Sequence, residues 1–230
     1  MNNYTEPCKC VICDNRCSFY QSLTFDELQL LDDHKTFIDF KKGETILKKG
    51  SYSKQIIFLS KGYVKIIMES NFKKSLILEI LGKGNFVNSL FLANKEKAPI
   101  TVIALTDVTV CLTDVEFFTS LLHKNGNFAI DFLGHFNKNG FSRFKKMSSI
   151  ALKQTRGRLA DTLIHLHNTF MDEVVNQILT RKEIAELSNL STENTIRTLK
   201  EFENEKVIRL SGKKIEVIDL ELLKKISDIG

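Results

Sequence analysis

Hydrophobic residues in the first half of the chain occur in short runs separated by turn residues. The runs are Gln55–Leu59, Val64–Ile67, Leu76–Leu81, Ile100–Ala104 and Val108–Leu112. The turn residues between and beside them are Gly43, Gly50, Gly62, Gly82 and Gly84. Short strands at this spacing are typical of an antiparallel sandwich or barrel, so we predict β structure from about Phe37 to Thr119.

The spacing of apolar residues changes near Asp114 to the period of a helix. A first helical pattern begins at Phe117 and is interrupted at Asn125-Gly126-Asn127. A longer helix is predicted from Phe128 to about Leu152.

This long helix carries one narrow apolar stripe with steps of four and three residues, as in a coiled coil. A core helix packed on its own sheet is one explanation. Because lysine and arginine flank the stripe, we favour a dimer seam. The residues predicted to form the seam are Leu133, Phe136, Gly140, Phe144 and Met147.

The C-terminal part predicts a small helical domain with a β-hairpin. Its first helix spans roughly Gln154 to Thr169, and the runs Lys206–Leu210 and Lys214–Ile218 flank a Ser-Gly-Lys turn. Between them, Thr180 and Glu183 fit a capping box that opens a short helix.

That short helix is predicted to end at Ser188-Asn189, because asparagine tolerates the left-handed conformation that a tight turn needs. Ser191 can then cap a second short helix. The two helices and their turn together predict a helix-turn-helix.

The second short helix has two distinct sides when it is indexed at about 100° per residue. One side holds Thr195, Thr198, Leu199 and Phe202, and the opposite side holds Glu193, Ile196, Arg197 and Lys200. Arginine can donate two hydrogen bonds to guanine, glutamate can accept from cytosine N4, and lysine suits a phosphate.

A surface ion pair between Glu193 and Arg197 is the alternative explanation for this side. The capped helix, the turn, the second helix and the hairpin together favour DNA recognition. The predicted DNA-contacting residues are Thr180, Arg181, Ser191, Thr192, Glu193, Ile196, Arg197 and Lys200.

Composition excludes several classes of protein. With 230 residues, 43% hydrophobic and 27% charged, the chain is predicted to fold rather than to be disordered. No apolar run approaches the roughly 18 residues of a membrane span, and the first residues do not resemble a signal peptide. We therefore expect a cytoplasmic protein with no membrane partner.

The net charge of +5 gives little support for DNA binding. Residues 151–230 contain 13 Lys+Arg and 13 Asp+Glu and are formally neutral. Part of the basic excess lies in residues 132–160, which hold seven Lys+Arg and no acidic residue.

The cysteines are unevenly distributed, since four of the five fall within ten residues. These four are Cys8, Cys10, Cys13 and Cys17, and the fifth is Cys111. In a reducing compartment, such a cluster indicates metal binding or redox chemistry before a disulfide framework.

The order of these parts resembles the Crp/Fnr family of bacterial transcription regulators over nearly the whole chain. The similar segments are Phe40–Ile46, Lys61–Lys65, Gly82–Phe86, Leu179–Ala185 and Ser191–Arg197. The resemblance implies an α+β fold with an N-terminal antiparallel β-roll, which is a cyclic-nucleotide-binding-like jelly roll. A long dimerisation helix and a C-terminal winged helix-turn-helix would follow. It further implies a homodimer on a palindromic operator of double-stranded DNA, with RNA polymerase as a further partner.

On this basis we expect four segments. They are a cysteine-bearing arm (1–24), a β-roll sensor domain (25–126), a dimerisation helix (127–152) and a winged helix-turn-helix domain (153–230).

The resemblance does not extend to the residues with which the cyclic-nucleotide branch holds its ligand. That branch has an acidic residue for the ribose and an arginine for the phosphate. The matching effector-pocket positions here hold Asn88, Ser89, Ala98 and Pro99, which carry no charge. A cyclic nucleotide is therefore not expected.

The chain is closer to the oxygen-sensing branch, which holds a [4Fe–4S] cluster on three N-terminal cysteines and a distant one. Ala104–Cys111 resembles the strand that bears the distant ligand. The resemblance implies Cys10, Cys13, Cys17 and Cys111 as ligands, with Cys8 as a substitute. The spacing from Cys13 to Cys17 is shorter than is usual in the family. A closed zinc site on the four N-terminal cysteines, or no metal, remains the alternative.

The function predicted from the sequence is a dimeric, sequence-specific transcription regulator that senses oxygen or redox state. A regulator gated by a different small ligand and a non-DNA-binding interaction module are the alternatives. An enzyme is not expected, because the chain has no nucleophile elbow and no Walker-type phosphate loop.

Overall fold

The computed structural model describes residues 18–69, 75–88, 97–170 and 178–230. A short 3₁₀ turn at Ser18–Ser22 leads to Thr24, whose hydroxyl accepts a hydrogen bond from the Glu27 amide and begins helix α1 (Phe25–Asp33). The strands that follow are β1 (Lys35–Phe40), β2 (Thr45–Leu47), β3 (Gln55–Lys61), β4 (Val64–Glu69), β5 (Ser75–Leu81), β6 (Thr101–Ala104) and β7 (Val108–Asp114).

The remaining elements are mostly helical. They are α2 (Val115–Lys124), α3 (Gly126–Leu152), α4 (Thr155–Phe170), α5 (Arg181–Ser188), α6 (Thr192–Asn204), β8 (Ile208–Ser211), β9 (Lys214–Val217) and α7 (Leu220–Ile229). The predicted α+β class is confirmed. None of the described helices is both long and apolar enough to span a bilayer.

Two differences from the sequence prediction concern boundaries. The β segment ends at Asp114 rather than Thr119, because the Asp114 carboxylate accepts a hydrogen bond from the Phe117 amide and begins α2. Helix α3 starts at Gly126 rather than Phe128, directly after Asn125, which is the C-cap residue of α2.

Helix α7 was not predicted from the sequence. It buries Leu223 and Ser227 in the C-terminal unit.

The chain divides into two units. One holds the described residues up to Val64 together with Leu81–Gly140, and the other holds Lys65–Ile80 together with Phe141–Gly230.

In the first unit, β7 lies between β1 and β3 in an antiparallel sheet, and β2 pairs with β6. The register of the first sheet sets Cys111 on β7 opposite Phe37 on β1 and Phe58 on β3. Gly62 turns the chain after β3 with φ +85°, and a Cβ there would collide with the Asp107 carbonyl oxygen.

An aromatic core fills the first unit. Tyr20, Phe58, Phe86, Phe118 and Phe128 are all buried in it. The rings of Phe118 and Phe128 meet edge to face, with centroids 5.4 Å apart. Tyr20 belongs to the 3₁₀ turn at Ser18–Ser22, so its burial packs the segment that follows the N-terminal cysteines against this core.

Helix α3 leaves a row of side chains exposed at coiled-coil spacing. Of the predicted seam residues, Leu133, Phe144 and Met147 are 56%, 66% and 65% exposed, and Phe136 and Gly140 are half-buried. The exposed row therefore differs from the predicted seam, because it includes Asn137 in place of its neighbour Phe136.

In the second unit, α4 and α7 pack together. Gly157 on α4 lies against the backbone of Gly230, and a Cβ at position 157 would overlap the Gly230 carbonyl carbon. The Gly230 oxygen also accepts a hydrogen bond from the amide of Gln154, just before α4. Glycine at position 157 therefore permits this close approach.

Candidate nucleic-acid interface

The first helix of the helix-turn-helix begins as the sequence predicted. The Thr180 hydroxyl accepts a hydrogen bond from the Glu183 amide at 3.2 Å, and the Glu183 carboxylate accepts one from the Thr180 amide at 2.8 Å. Both halves of the capping box are present, so the predicted start of α5 is confirmed.

The turn between the two helices depends on Asn189. This residue has φ 53° and ψ 48°, the left-handed conformation that ends α5. The Leu190 amide donates to the Ala185 carbonyl at 2.9 Å, and the Ser191 hydroxyl accepts from the Asn194 amide at 3.1 Å. The predicted turn and the predicted cap of α6 are therefore both confirmed.

Helix α6 has one buried and one exposed side. The buried residues include Thr195, Thr198, Leu199 and Phe202. The exposed residues include Thr192, Glu193, Ile196, Arg197 and Lys200. The predicted division is confirmed, and the exposed side is free of packing against α4 and α5.

Arg197 does not pair with Glu193. Its guanidinium donates to the Asn194 side-chain oxygen at 3.1 Å, and its Nε lies 3.9 Å from a Glu201 carboxylate oxygen. These are contacts along one helix, with the Arg197 side chain 70% exposed. Such pairs stabilise little, so the guanidinium can exchange them for a ligand at small cost.

Arg181 and Thr180 make internal contacts. The Arg181 guanidinium donates to the carbonyls of Gly212 at 3.1 Å and Lys213 at 3.3 Å in the β8–β9 turn. Burial lowers the pKa of Arg181, and the nearby Glu203 carboxylate partly offsets that effect. Arg181 therefore ties the hairpin to the start of α5, while Thr180 serves as the cap.

An ion pair that the sequence analysis missed joins β4 to α5. The Lys65 ammonium lies 2.6 Å from the Glu183 carboxylate, and both side chains are more than four-fifths buried. Burial acts to raise the pKa of Glu183. The hydrogen bonds from Lys65 and from Thr180 outweigh it, so that pKa lies below its usual value. No local pattern indicates this pair, because 118 residues separate its members.

Of the predicted metal ligands, only Cys111 lies within the described residues. It is 5% exposed in the aromatic core of the first unit. Cys8, Cys10, Cys13 and Cys17 lie outside the described residues. Within residues 18–69, 75–88, 97–170 and 178–230, no three His, Cys, Asp or Glu side chains gather as a metal site.

The predicted effector-pocket positions have different environments. Asn88 is fully buried, accepts a hydrogen bond from the Ile57 amide at 2.9 Å and donates to the Gln55 carbonyl at 2.7 Å. Ala98 is buried and Pro99 is exposed. Ser89 lies outside the described residues. Asn88 thus supplies hydrogen bonds to the edge of β3.

Models of two domain families match the chain. Residues 37–125 match the cyclic nucleotide-binding domain, and residues 157–226 match the Crp-like helix-turn-helix domain. The chain belongs to the Crp/Fnr family. Members of this family are transcription regulators rather than enzymes, and they bind DNA, typically as dimers.

Two relatives found by sequence similarity are distant from this chain. The cAMP-activated global transcriptional regulator CRP of Salmonella typhimurium is 26% identical over 179 residues, which is 75% of this chain and 85% of that protein. The CRP-like cAMP-activated global transcriptional regulator of Mycobacterium tuberculosis is 21% identical over 215 residues, covering 91% of this chain and 96% of that protein.

Two solved structures share the fold of this chain. FixK2 from Bradyrhizobium japonicum has a TM-score of 0.75 at 15% identity, covering 84% of this chain and 96% of that one. The c-di-GMP responsive regulator CLP from Xanthomonas campestris has a TM-score of 0.71 at 19% identity, covering 84% of this chain and 99% of that one.

Proposed function

We propose that the chain is a sequence-specific regulator that reads a palindromic operator as a homodimer through the exposed side of α6. One observation carries this proposal. Glu193, Ile196, Arg197 and Lys200 lie exposed on a capped helix whose opposite side is buried. A helix can enter the major groove only if one side is free and the other is held rigidly by the domain.

Each exposed side chain has a matching chemistry in DNA. The Arg197 guanidinium can donate two hydrogen bonds to the O6 and N7 of guanine, and the Glu193 carboxylate can accept from cytosine N4. Ile196, at 40% exposure, offers an apolar contact to a thymine methyl group. Lys200 would bind a phosphate and position the helix.

Replacement of Arg197 tests the recognition role. We expect Arg197→Ala to lose about 1–3 kcal/mol of discrimination between an operator found by in vitro selection and random DNA. Fluorescence anisotropy with both DNAs measures this difference. Lys200→Ala is the matched comparison and should weaken binding to both DNAs equally. If Arg197→Ala discriminates between the two DNAs as well as the unaltered chain does, Arg197 does not recognise a base.

We further propose that the first unit senses oxygen or redox state through a [4Fe–4S] cluster on Cys10, Cys13, Cys17 and Cys111. Two observations support this assignment. Cys111 belongs to the same core as Tyr20, and Tyr20 follows Cys17 by only three residues. The buried, apolar surroundings of Cys111 also suit a thiolate that is charge-compensated by iron. When bound, such a cluster supplies an oxidisable group.

The relatives from Salmonella typhimurium and Mycobacterium tuberculosis are cAMP-activated, and for this chain we propose a different effector. The Asn88 side chain is occupied by its bonds to β3, and Ala98 and Pro99 carry no group that could pair with a cyclic phosphate.

We also propose RNA polymerase as a partner, as the family's role in transcription implies.

Metal analysis under anaerobic conditions tests the cluster. Anaerobically purified protein should be brown and contain about four iron and four sulfide per chain. Cys111→Ser should lose most of that iron, whereas Cys8→Ser should keep it. A colourless protein with bound zinc would contradict the cluster and favour a closed site on the four N-terminal cysteines.

A further inference from the structure

The second unit contains a cavity that the DNA-binding role does not use. Its volume is about 720 Å³, and it lies between β5, the second half of α3 and α4. Every lining residue belongs to this unit. Sites for small molecules commonly have volumes of 300–1,000 Å³, so this cavity has room for a metabolite.

Cationic side chains outnumber carboxylates around this cavity by five to three. Two of the carboxylates are already paired: Glu79 lies 3.2 Å from Arg143, and Asp161 lies 2.9 Å from Lys153. Among the residues that the structure describes, Arg158 has no carboxylate partner, and its guanidinium donates a hydrogen bond to the Asn189 carbonyl at 3.3 Å. The lining therefore carries an excess of positive charge.

Two guanidinium nitrogens of the lining are buried and have no hydrogen-bond acceptor within the described part of the chain. They are Nη1 of Arg143 and Nε of Arg158. Buried polar atoms of proteins are nearly always hydrogen-bonded, and a missing partner on a charged donor calls for a ligand or solvent oxygen. Both guanidinium groups belong to side chains that line the cavity and have donor capacity left over, which a ligand with its own oxygen acceptors would use.

Lys146 adds a third cation to the same wall. Its ammonium donates to the carbonyls of Ile77 and Leu78 at 3.1 and 2.5 Å. Burial lowers the pKa of Lys146 to about 8, although Glu79 acts against that shift. Burial and the nearby Lys146 ammonium lower the pKa of His165 to about 4, so this imidazole is neutral at pH 7. An anion would relieve the unfavourable burial of the ammonium.

We propose that this cavity binds a small organic anion whose carboxylate or phosphate oxygens accept hydrogen bonds from Arg143 and Arg158. Arginine presents a planar set of donors that suits both oxyanions. Arg158 also contacts Asn189, the residue that turns the chain from α5 to α6. Arg158 would therefore contact both the bound anion and the turn of the helix-turn-helix.

Calorimetric titration of the full chain with citrate and with glucose 6-phosphate tests the proposal, at constant ionic strength set with sodium chloride. We expect at least one of the two anions to bind and uncharged glucose not to bind. Arg143→Met and Arg158→Met, which keep most of the aliphatic stem, should each weaken binding at least tenfold. Arg209→Met is the control, because Arg209 is exposed and pairs with Glu216 on the hairpin.

Chemical labelling of the unaltered chain keeps the test valid if a variant fails to fold. A bound anion should slow the acylation of Lys146 at least threefold and leave that of exposed Lys182 unchanged. Three results would each overturn the proposal: neither anion binds, both Arg→Met variants bind as tightly as the unaltered chain, or Lys146 is not protected. None of these results depends on DNA binding, so failure here is separate from failure of the proposed recognition helix.

Discussion

At the scale of single residues, Glu183 has two roles that the sequence did not connect. Its carboxylate completes the capping box of α5 and also accepts from Lys65 on β4. The capping role follows from a spacing of three residues, which is visible in the sequence. The ion pair joins residues far apart in the chain and needs the folded unit.

We expect Glu183→Gln to lower the free energy of unfolding by about 1.5–3 kcal/mol at neutral pH, because it leaves Lys65 without its charged acceptor. Glutamine still completes a capping box, so the substitution isolates the charge. Urea unfolding measures the change, and Glu193→Gln on the exposed side of α6 is the control.

The effect of Glu183→Gln should depend on pH. The pKa of Glu183 is lowered in the folded state, so its stabilisation is complete above the unfolded value of 4.5 and is lost as the pH falls through the folded pKa. The two proteins should therefore approach equal stability in acid. A difference that stays constant down to about pH 2, below the usual carboxyl range, would contradict the role of the charge.

At the scale of elements, the helix-turn-helix was predicted well because its signals are local. Caps at Thr180 and Ser191, the left-handed Asn189 and the buried side of α6 all follow from residue type and spacing. Helix α4 was predicted to within one residue at each end, but the reason for its glycine was not visible. Gly157 lies against Gly230, which is distant in sequence.

Gly157→Ala is expected to destabilise the second unit by about 1–3 kcal/mol, because the added methyl group overlaps the Gly230 backbone. Thermal unfolding followed by circular dichroism measures the change. Gly134→Ala is the matched control, since a Cβ at position 134 of helix α3 meets nothing within 4 Å. That control should be neutral or gain about 0.5–1 kcal/mol, because alanine favours helix more than glycine. Equal effects of the two substitutions would disprove the close approach at Gly157.

At the scale of the whole molecule, helix α3 exposes a row of apolar side chains that a second copy of the chain would cover. Leu133, Phe144 and Met147 are large apolar side chains that are each more than half exposed. Exposed apolar rows at coiled-coil spacing are typical of helix pairing, and members of this family typically bind DNA as dimers. The seam remains our prediction for this chain.

We expect Leu133→Glu to weaken dimerisation by at least about 2 kcal/mol, because the symmetric seam would bring two carboxylates into an apolar contact. Sedimentation velocity across a concentration series measures the dissociation constant. Phe25→Glu, at a residue on α1 that is 64% exposed, is the control and should leave the dimer intact. A Leu133→Glu protein that dimerises as tightly as the unaltered chain would put the interface elsewhere.

The sequence by itself determined the elements and the sides they bury, because caps, turns and apolar periodicity act between residues a few positions apart. It also indicated the basic stretch 132–160, which supplies Arg143, Lys146 and Arg158 to the cavity. Only the tertiary structure decided that Lys65 meets Glu183 and that Asn88 bonds to β3. It also decided that two guanidinium nitrogens find no acceptor among the residues described. These facts depend on which distant segments meet, and the physical reason is that packing of the folded chain, rather than local periodicity, selects those partners.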